Sequence, residues 1–333
     1  MLGVFYAHFW DLGSHLGTAS VRVFFVLSGF LITGILLGLK SHDHGGLPRP
    51  DNATTGHGIL AFYARRALRI WPIYYAVLLP LVLVNAQDAQ DSAVWHLLFA
   101  SNVWFAYNEG WNPGFAAAWW TLALEEQFYL IWPVIVLALS RKALARLTAG
   151  LIAMSLVHHL HLIPGLPIWL EAEIMPLAQI DALGAGALLA LAVERKRSAP
   201  GWLAPLGLAG LIPTLILIQT DNESWLWIVS LPTMVALVSG AWQGLGGFCG
   251  KALDNPMLQG MGRISYGAYV IHLTVMNVIV VASARMGHEI NRGPLLFALA
   301  GIATFALAWL SWRFYESPIL SLKRFFPYRR HDA

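Results

Sequence analysis

Residues 20–39 read Ser20-Val-Arg22-Val-Phe-Phe-Val-Leu-Ser28-Gly29-Phe30-Leu-Ile-Thr33-Gly-Ile-Leu-Leu-Gly-Leu39, and Arg22 is the one charge among them. A helix rises about 1.5 Å per residue, so a stretch of this length matches the roughly 30 Å hydrocarbon core of a bilayer. Further apolar stretches bounded by charges or turn residues lie at 67–85, 119–139, 144–163, 174–193, 202–218, 225–241, 264–284 and 294–313, giving nine expected crossings. The composition agrees: 57% of the 333 residues are AVILMFWYC and 12% are DEKR, where a soluble domain carries about 25% charged residues. The expected fold class is all-α, a polytopic helical membrane protein. Residues 1–10 form an apolar stub half as long as a crossing, with no Lys or Arg ahead of it and no small-residue cleavage site. The stub reads as the second half of a helix rather than a signal peptide, so about ten transmembrane helices are expected, the first truncated at its N-terminus. No repeat, low-complexity run or soluble segment divides the chain, and residues 1–333 read as a single integral-membrane domain.

The distribution of Lys and Arg sets the orientation, because basic short loops stay cytoplasmic. With the stub running outward, only Arg22, Arg285 and Arg292 of the 21 Lys and Arg fall outside; the others lie in 40–69, 141–146, 195–197, 251–263 and 313–330. This alternation predicts a multi-pass protein of the cell (inner) membrane with a cytoplasmic C-terminus. The net charge of +3 is too small to indicate a nucleic-acid partner; the expected partner is the bilayer, with the basic stretch 323–330 against anionic headgroups. The single cysteine, Cys249, excludes an intramolecular disulfide and a Cys-based zinc site. The longest outer segment, 86–118, combines Asp88, Asp91 and Glu109 with Trp95, Trp104 and Trp111, aromatics that suit an interfacial belt or sugar stacking.

No nucleophile elbow, H-E-x-x-H or P-loop occurs in the chain. Gly184-Ala-Gly186 lies inside an apolar helix with no preceding strand, where small residues mean close helix packing rather than a dinucleotide fingerprint. His158, His159 and His161 have no carboxylate or cysteine near them in sequence and sit at the end of a crossing; they read as interfacial residues, and no metal is expected. Arg66 and Arg69 are spaced i, i+3 on a helix entering the membrane, so their guanidinium groups share a face. That face is either a phosphate clamp or a snorkelling anchor, and Lys substitution weakens only the former. Inside the membrane, an ionisable residue costs about 2.5–3.5 kcal/mol at a helix centre and marks function by default. The candidates are His8, Asp181, the pair Glu125 and Glu126, and His272. His8 carries the most weight, since an imidazole with a pKa of about 6.5 suits general-base work at neutral pH. Asp11, three residues on, has the spacing to orient it as a triad carboxylate does; the bland reading has His8 hydrogen-bonding a neighbouring helix.

Several of these residues stand in motifs of a known family. Val23-Phe-Phe-Val-Leu-Ser28-Gly29-Phe30-Leu-Ile resembles the second helix of the acyltransferase 3 family, membrane O-acyltransferases that modify bacterial glycans and some small molecules. In family order follow Arg65-Arg66-Ala-Leu-Arg69-Ile-Trp-Pro72-Ile-Tyr74, Trp120-Thr121-Leu-Ala-Leu-Glu125-Glu126-Gln-Phe128-Tyr129, Ile264-Ser265-Tyr266-Gly-Ala-Tyr269-Val-Ile-His272 and Trp312-Arg-Phe-Tyr-Glu316-Ser-Pro318. The resemblance covers essentially the whole chain. Thr121 stands where serine is more usual, and the arginine that the family places about ten residues before its histidine would precede Met1.

The resemblance implies a ten-helix O-acetyltransferase-type enzyme. It would take an acyl group, usually acetyl, from acyl-CoA on the cytoplasmic side and deliver it to a hydroxyl of a carbohydrate, lipid-linked glycan or small molecule. The family's first-helix histidine falls on His8 and its arginines on Arg65, Arg66 and Arg69, which would bind the CoA phosphates. Acyl-CoA is then a co-substrate and no permanently bound cofactor is expected. In the expected mechanism neutral His8 takes the proton of the acceptor hydroxyl and returns it to the CoA thiolate, or becomes acylated itself. Ser28 or a freed backbone N–H at Gly29 would stabilise the oxyanion. Glu125 would position a neighbouring helix or the acceptor, with Tyr129 and His272 in the pocket. Two further readings remain open at this point, a transporter and a non-catalytic scaffold of glycan assembly.

Overall fold

The computed structural model describes residues 1–41, 52–163, 165–196, 198–220 and 222–328. Of the basic residues that set the orientation, Arg49, Arg197, Arg329 and Arg330 lie outside these. The described residues fold as helices: α1 Leu2–Phe9, α2 Leu16–Ser41, α3 Asn52–Leu83, α4 Ala93–Leu97, α5 Ser101–Tyr107, α6 Trp120–Ala138, α7 Arg141–His159, α8 Ile168–Glu171 and α9 Pro176–Lys196. There follow α10 Leu203–Leu217, α11 Glu223–Gln243, α12 Gly247–Leu253, α13 Pro256–Arg285, α14 Pro294–Ser311, a π-helical turn Trp312–Glu316, and α15 Ser317–Ser321.

Each of the nine expected crossings falls on a helix, and the apolar stub forms the short helix α1. Among the described residues, seven stretches are long and apolar enough to cross a bilayer: Leu16–Lys40, Gly56–Leu83, Gly114–Ala138, Pro176–Glu194, Ser224–Gln243, Pro256–Arg285 and Pro294–Phe325. The expected crossings at 144–163 and 202–218 fall on α7 and α10, which are not among them. α10 has 15 residues, short of the roughly 20 a crossing takes, and α7 opens with Arg141, Lys142 and Arg146 and closes with His158 and His159.

The centre of the bundle is the contact of α2 with α9. A Cβ on Gly29 would lie 1.9 Å from the Leu183 carbonyl oxygen, and one on Gly186 would lie 2.0 Å from that of Val26. The backbones therefore touch, as small residues permit between membrane helices. Gly184, on another face of α9, meets Thr148 and Ile152 of α7, so the Gly184-Ala-Gly186 stretch packs α9 on both sides. Arg22, expected among the outer charges, is buried in this seam instead. Its Nη1 and Nη2 donate to Oδ1 and Oδ2 of Asp181 at 3.2 and 2.6 Å, and Nη2 also donates to the Trp227 carbonyl at 3.1 Å. The Trp227 ring lies 4.4 Å from the guanidinium and stacks within 5° of the His159 ring.

Two details close the ends of the bundle. Lys40, in the last turn of α2, donates from Nζ to the carbonyls of Val136 (2.8 Å), Leu137 (3.2 Å) and Leu139, satisfying carbonyls that the end of α6 leaves without intrahelical donors. At the opposite end, the segment after α3 tucks Phe105, Phe115 and Trp119 into the core. Trp119 Nε1 donates to the Val270 carbonyl at 3.0 Å. Of the tryptophans expected in an interfacial belt, Trp95 and Trp111 are exposed and Trp104 Nε1 donates to the Asn112 carbonyl at 3.0 Å.

Asp181→Asn leaves the Arg22 charge buried without its partner, so it is expected to destabilise the fold by about 3–5 kcal/mol. Gly29→Val, which drives side-chain atoms into the Leu183 carbonyl, is expected to cost about 1–3 kcal/mol or more. Thermal unfolding of purified protein in detergent, followed by tryptophan fluorescence, reads both; midpoints equal to wild type would remove this seam from its structural role.

Candidate active site

Helices α2, α3, α6 and α13 enclose a cavity of about 550 Å³. Arg66 and Arg69 of α3 both line it, as their i, i+3 spacing predicts. Arg66 lies 5.9 Å from the Tyr129 ring of α6. Lys323 joins them from the C-terminal segment, so three cationic side chains gather in one part of the cavity. Arg65 faces elsewhere: its Nη1 donates to the carbonyls of Lys323 and Phe326, both at 3.1 Å, and its guanidinium sits over the Tyr328 ring. The expected role of Arg65 in the donor-binding set is corrected accordingly: it ties the C-terminal segment to α3. His57 Nε2, 3.1 Å from the Pro327 carbonyl, adds to that attachment.

Deeper in the cavity, Ser28 Oγ donates to Glu125 Oε1 at 2.6 Å, and Tyr129 OH donates to Ser28 Oγ at 3.3 Å. The expected oxyanion role of Ser28 and Gly29 does not fit these contacts. The hydroxyl proton of Ser28 is committed to the Glu125 carboxylate, and Gly29 is pressed against the Leu183 carbonyl within a continuous helix. Glu125 orients Ser28, and both line the cavity. Glu126 points away from this pair, accepting from Trp71 Nε1 at 3.1 Å. Beyond Glu125, Thr121 Oγ1 lies 2.7 Å from Tyr269 OH, which donates to the Ala118 carbonyl at 2.8 Å.

One helical turn past Tyr269, on the same helix, is His272, fully buried. Its Nδ1 is 2.6 Å from the Tyr269 carbonyl, and its Nε2 is 2.8 Å from His8 Nδ1. His8 comes from α1, whose C-terminal end is held by α14's leading loop: Arg292 Nε donates to the His8 carbonyl at 3.1 Å, and Gly293 N donates to that of Phe9 at 3.0 Å. The expectation that Asp11 orients the imidazole is also corrected. Asp11 is exposed on the turn after α1 and its Oδ1 accepts from Gly13 N at 3.1 Å, while the Nδ1 of His8 faces His272. His158 and His159 are buried, His159 Nε2 being 3.6 Å from Asp181 Oδ2, and His161 is exposed. Among the described residues no three His, Cys, Asp or Glu side chains gather as a metal would need.

Lys323, expected against headgroups, lines the cavity instead, and His8 pairs with His272, a contact not expected from the sequence. Nothing local to residue 323 signals its place in the cavity; the run of tyrosines at 266 and 269 before His272 was the available hint that this face of α13 is polar.

Ser28→Ala removes the hydrogen bonds to Glu125 and from Tyr129 and is expected to cost about 1–3 kcal/mol, whereas Glu125→Gln keeps an oxygen that can accept from Ser28 and is expected to cost about 1 kcal/mol or less; the two are expected to affect function as a unit. In a double-mutant cycle on turnover the second substitution is expected to add little to the first. Additive losses would show that the two side chains act separately.

The profile of the acyltransferase domain of acyltransferase 3 proteins matches residues 1–313. Over 93% of the chain it is 28% identical to the peptidoglycan O-acetyltransferase OatA of Listeria monocytogenes, covering 52% of that protein. It is 26% identical over 96% of the chain to a putative O-acetyltransferase of Staphylococcus aureus, covering 55% of it. It is 28% identical over 93% of the chain to the putative peptidoglycan O-acetyltransferase YrhL of Bacillus subtilis, covering 51% of it. The chain thus spans about half the length of the curated relatives it matches. No solved structure matches. With the family match running over residues 1–313 of the 333, the chain belongs to the acyltransferase 3 family.

Proposed function

We propose that this chain is a membrane O-acetyltransferase unit that takes an acetyl group from acetyl-CoA at the arginine-bearing end of its cavity and passes it to a hydroxyl of a glycan at the other end. The observation that carries the reading is the single cavity that joins Arg66, Arg69 and Lys323 to Ser28, Glu125 and Tyr269, one helical turn from the His272–His8 pair. The cationic side chains suit the phosphates of CoA, and the apolar walls from Val21, Phe25 and Leu122 suit the pantetheine arm reaching toward His8. The basic loops support an orientation with the arginine end and the C-terminus in the cytoplasm, which fits a protein of the cell membrane. Donor and acceptor then approach from opposite faces, with residues 1–333 acting as one domain. Relatives whose names specify peptidoglycan support a cell-wall or comparable envelope glycan as acceptor.

The chemistry falls to His8. Its imidazole accepts the proton of the acceptor hydroxyl as the oxygen attacks the thioester carbonyl, and the same proton goes to the departing thiolate, so acetyl ester and CoA are the products. Proximity supplies much of the acceleration, since the two substrates are held end to end in a site shielded from bulk water. Glu125, through Ser28, keeps the middle of the cavity polar and ordered.

Membranes containing the chain are expected to release thiol from acetyl-CoA when glycan acceptor is supplied. His8→Ala is expected to lower that release by at least about 10²-fold, the usual contribution of a general base. Arg66→Lys and Arg69→Lys are each expected to raise KM for acetyl-CoA about tenfold, because an ammonium cannot reproduce bidentate phosphate contacts, with kcat nearly unchanged. Acceptor-dependent release that survives in His8→Ala would assign the base elsewhere, and an unchanged KM in both lysine variants would return the arginines to an anchoring role.

A further inference from the structure

We infer that His272 is the positioning residue of the His8 base, and that it works by fixing the tautomer of His8 from a main-chain carbonyl. This rests on the proposed acyltransfer for its catalytic meaning, but the tautomer itself follows from the hydrogen bonds. The Tyr269 carbonyl, 2.6 Å from His272 Nδ1, can only accept, so Nδ1 of His272 carries its proton. In the neutral ring Nε2 of His272 then holds a lone pair. His8 Nδ1, 2.8 Å from that nitrogen, must donate to it. The chain of protons ends with the lone pair of His8 on Nε2, the nitrogen that turns away from the pair.

Packing holds this direction. His272 is fully buried, with Phe5 stacked on it at 5.5 Å and the His8 ring at 5.0 Å and 22°. The bonds from Arg292 and Gly293 to main-chain carbonyls fix where α1 ends, and so the backbone from which the His8 ring reaches His272. The task that a carboxylate performs in a hydrolase triad is thus carried out by a neutral imidazole backed by a carbonyl. That arrangement orients the base without placing a resting negative charge among membrane helices, where an unpaired carboxylate is costly. No bond to His272 forms or breaks during transfer: the acceptor hydroxyl proton goes to His8 Nε2 and then to the thiolate sulfur.

The test combines a spectrum with kinetics. Protein labelled with 15N-histidine is reconstituted in lipid bilayers, and the His8 resonances are assigned by their loss in His8→Asn. The expected wild-type spectrum shows His8 protonated at Nδ1 and bare at Nε2. His272→Leu removes the acceptor and is expected to give a mixture of both His8 tautomers. It is also expected to lower kcat for acceptor-dependent thiol release by at least about a hundredfold, with KM for acetyl-CoA within twofold. His272→Gln, whose side-chain oxygen stands near the place of Nε2, is expected to restore kcat to within tenfold of wild type. A wild-type His8 protonated at Nε2 overturns the inference even if the substituted proteins do not fold. So does a His272→Leu protein with tautomer and kcat unchanged. A wild type that shows the expected tautomer but releases no thiol with any glycan acceptor overturns the acyltransferase reading and leaves the assignment of the His8 proton standing.

Discussion

The pairing of Arg22 with Asp181 is the constraint around which the bundle is arranged. Two full charges lie within the bundle, each almost without solvent exposure, and hydrocarbon offers neither any solvation. They are tolerable only because they meet bidentately, with the Trp227 carbonyl and ring completing the guanidinium's surroundings. Such a pair contributes little net stability over an apolar substitute, but it is severe about geometry, since separating the partners strands a buried charge. It therefore fixes the register of α2 on α9. The glycines at 29 and 186, one on each helix, then let the backbones close to contact along the same seam.

With α2 held on one face by α9, its other face is free to line the cavity. Ser28 is next to Gly29 in sequence and points to Glu125 of α6, so one helix turn serves both the packing seam and the site. The same economy recurs in α13, where Tyr266 OH donates to the Ile70 carbonyl of α3, Tyr269 OH to the Ala118 carbonyl ahead of α6, and His272 meets His8 of α1. These polar side chains, spaced three residues apart on one face, join α13 to three other parts of the bundle. Each satisfies a buried polar group that would otherwise cost free energy, and Tyr266 and Tyr269 also line the cavity in which donor and acceptor are proposed to meet.

The C-terminal segment shows how a charge is reassigned by packing. Arg65, the first residue of the arginine motif, donates to the carbonyls of Lys323 and Phe326, while the Lys323 side chain lines the cavity with Arg66 and Arg69. A motif read as three equivalent arginines thus divides into two that face the cavity and one that binds the segment carrying the third cation.

The sequence by itself determined the helical membrane class, because apolar runs of bilayer length have few alternatives in lipid. It also determined the shared face of Arg66 and Arg69, because a 3.6-residue period is a local property, and it singled out His8, Glu125 and His272 as candidates, because an ionisable group in hydrocarbon stands out on energetic grounds alone. Tertiary structure alone decided their partners. His8 and His272 are 264 positions apart and Arg22 and Asp181 are 159 apart, so no local spacing could pair them, and the nearby Asp11 was the natural but mistaken choice to orient the histidine. Likewise the proton of Ser28 was assigned only when α6 brought Glu125 against it. Periodicity and transfer cost act within one segment, whereas hydrogen-bond direction depends on which helix is the neighbour, and that is settled by the packing of the whole bundle.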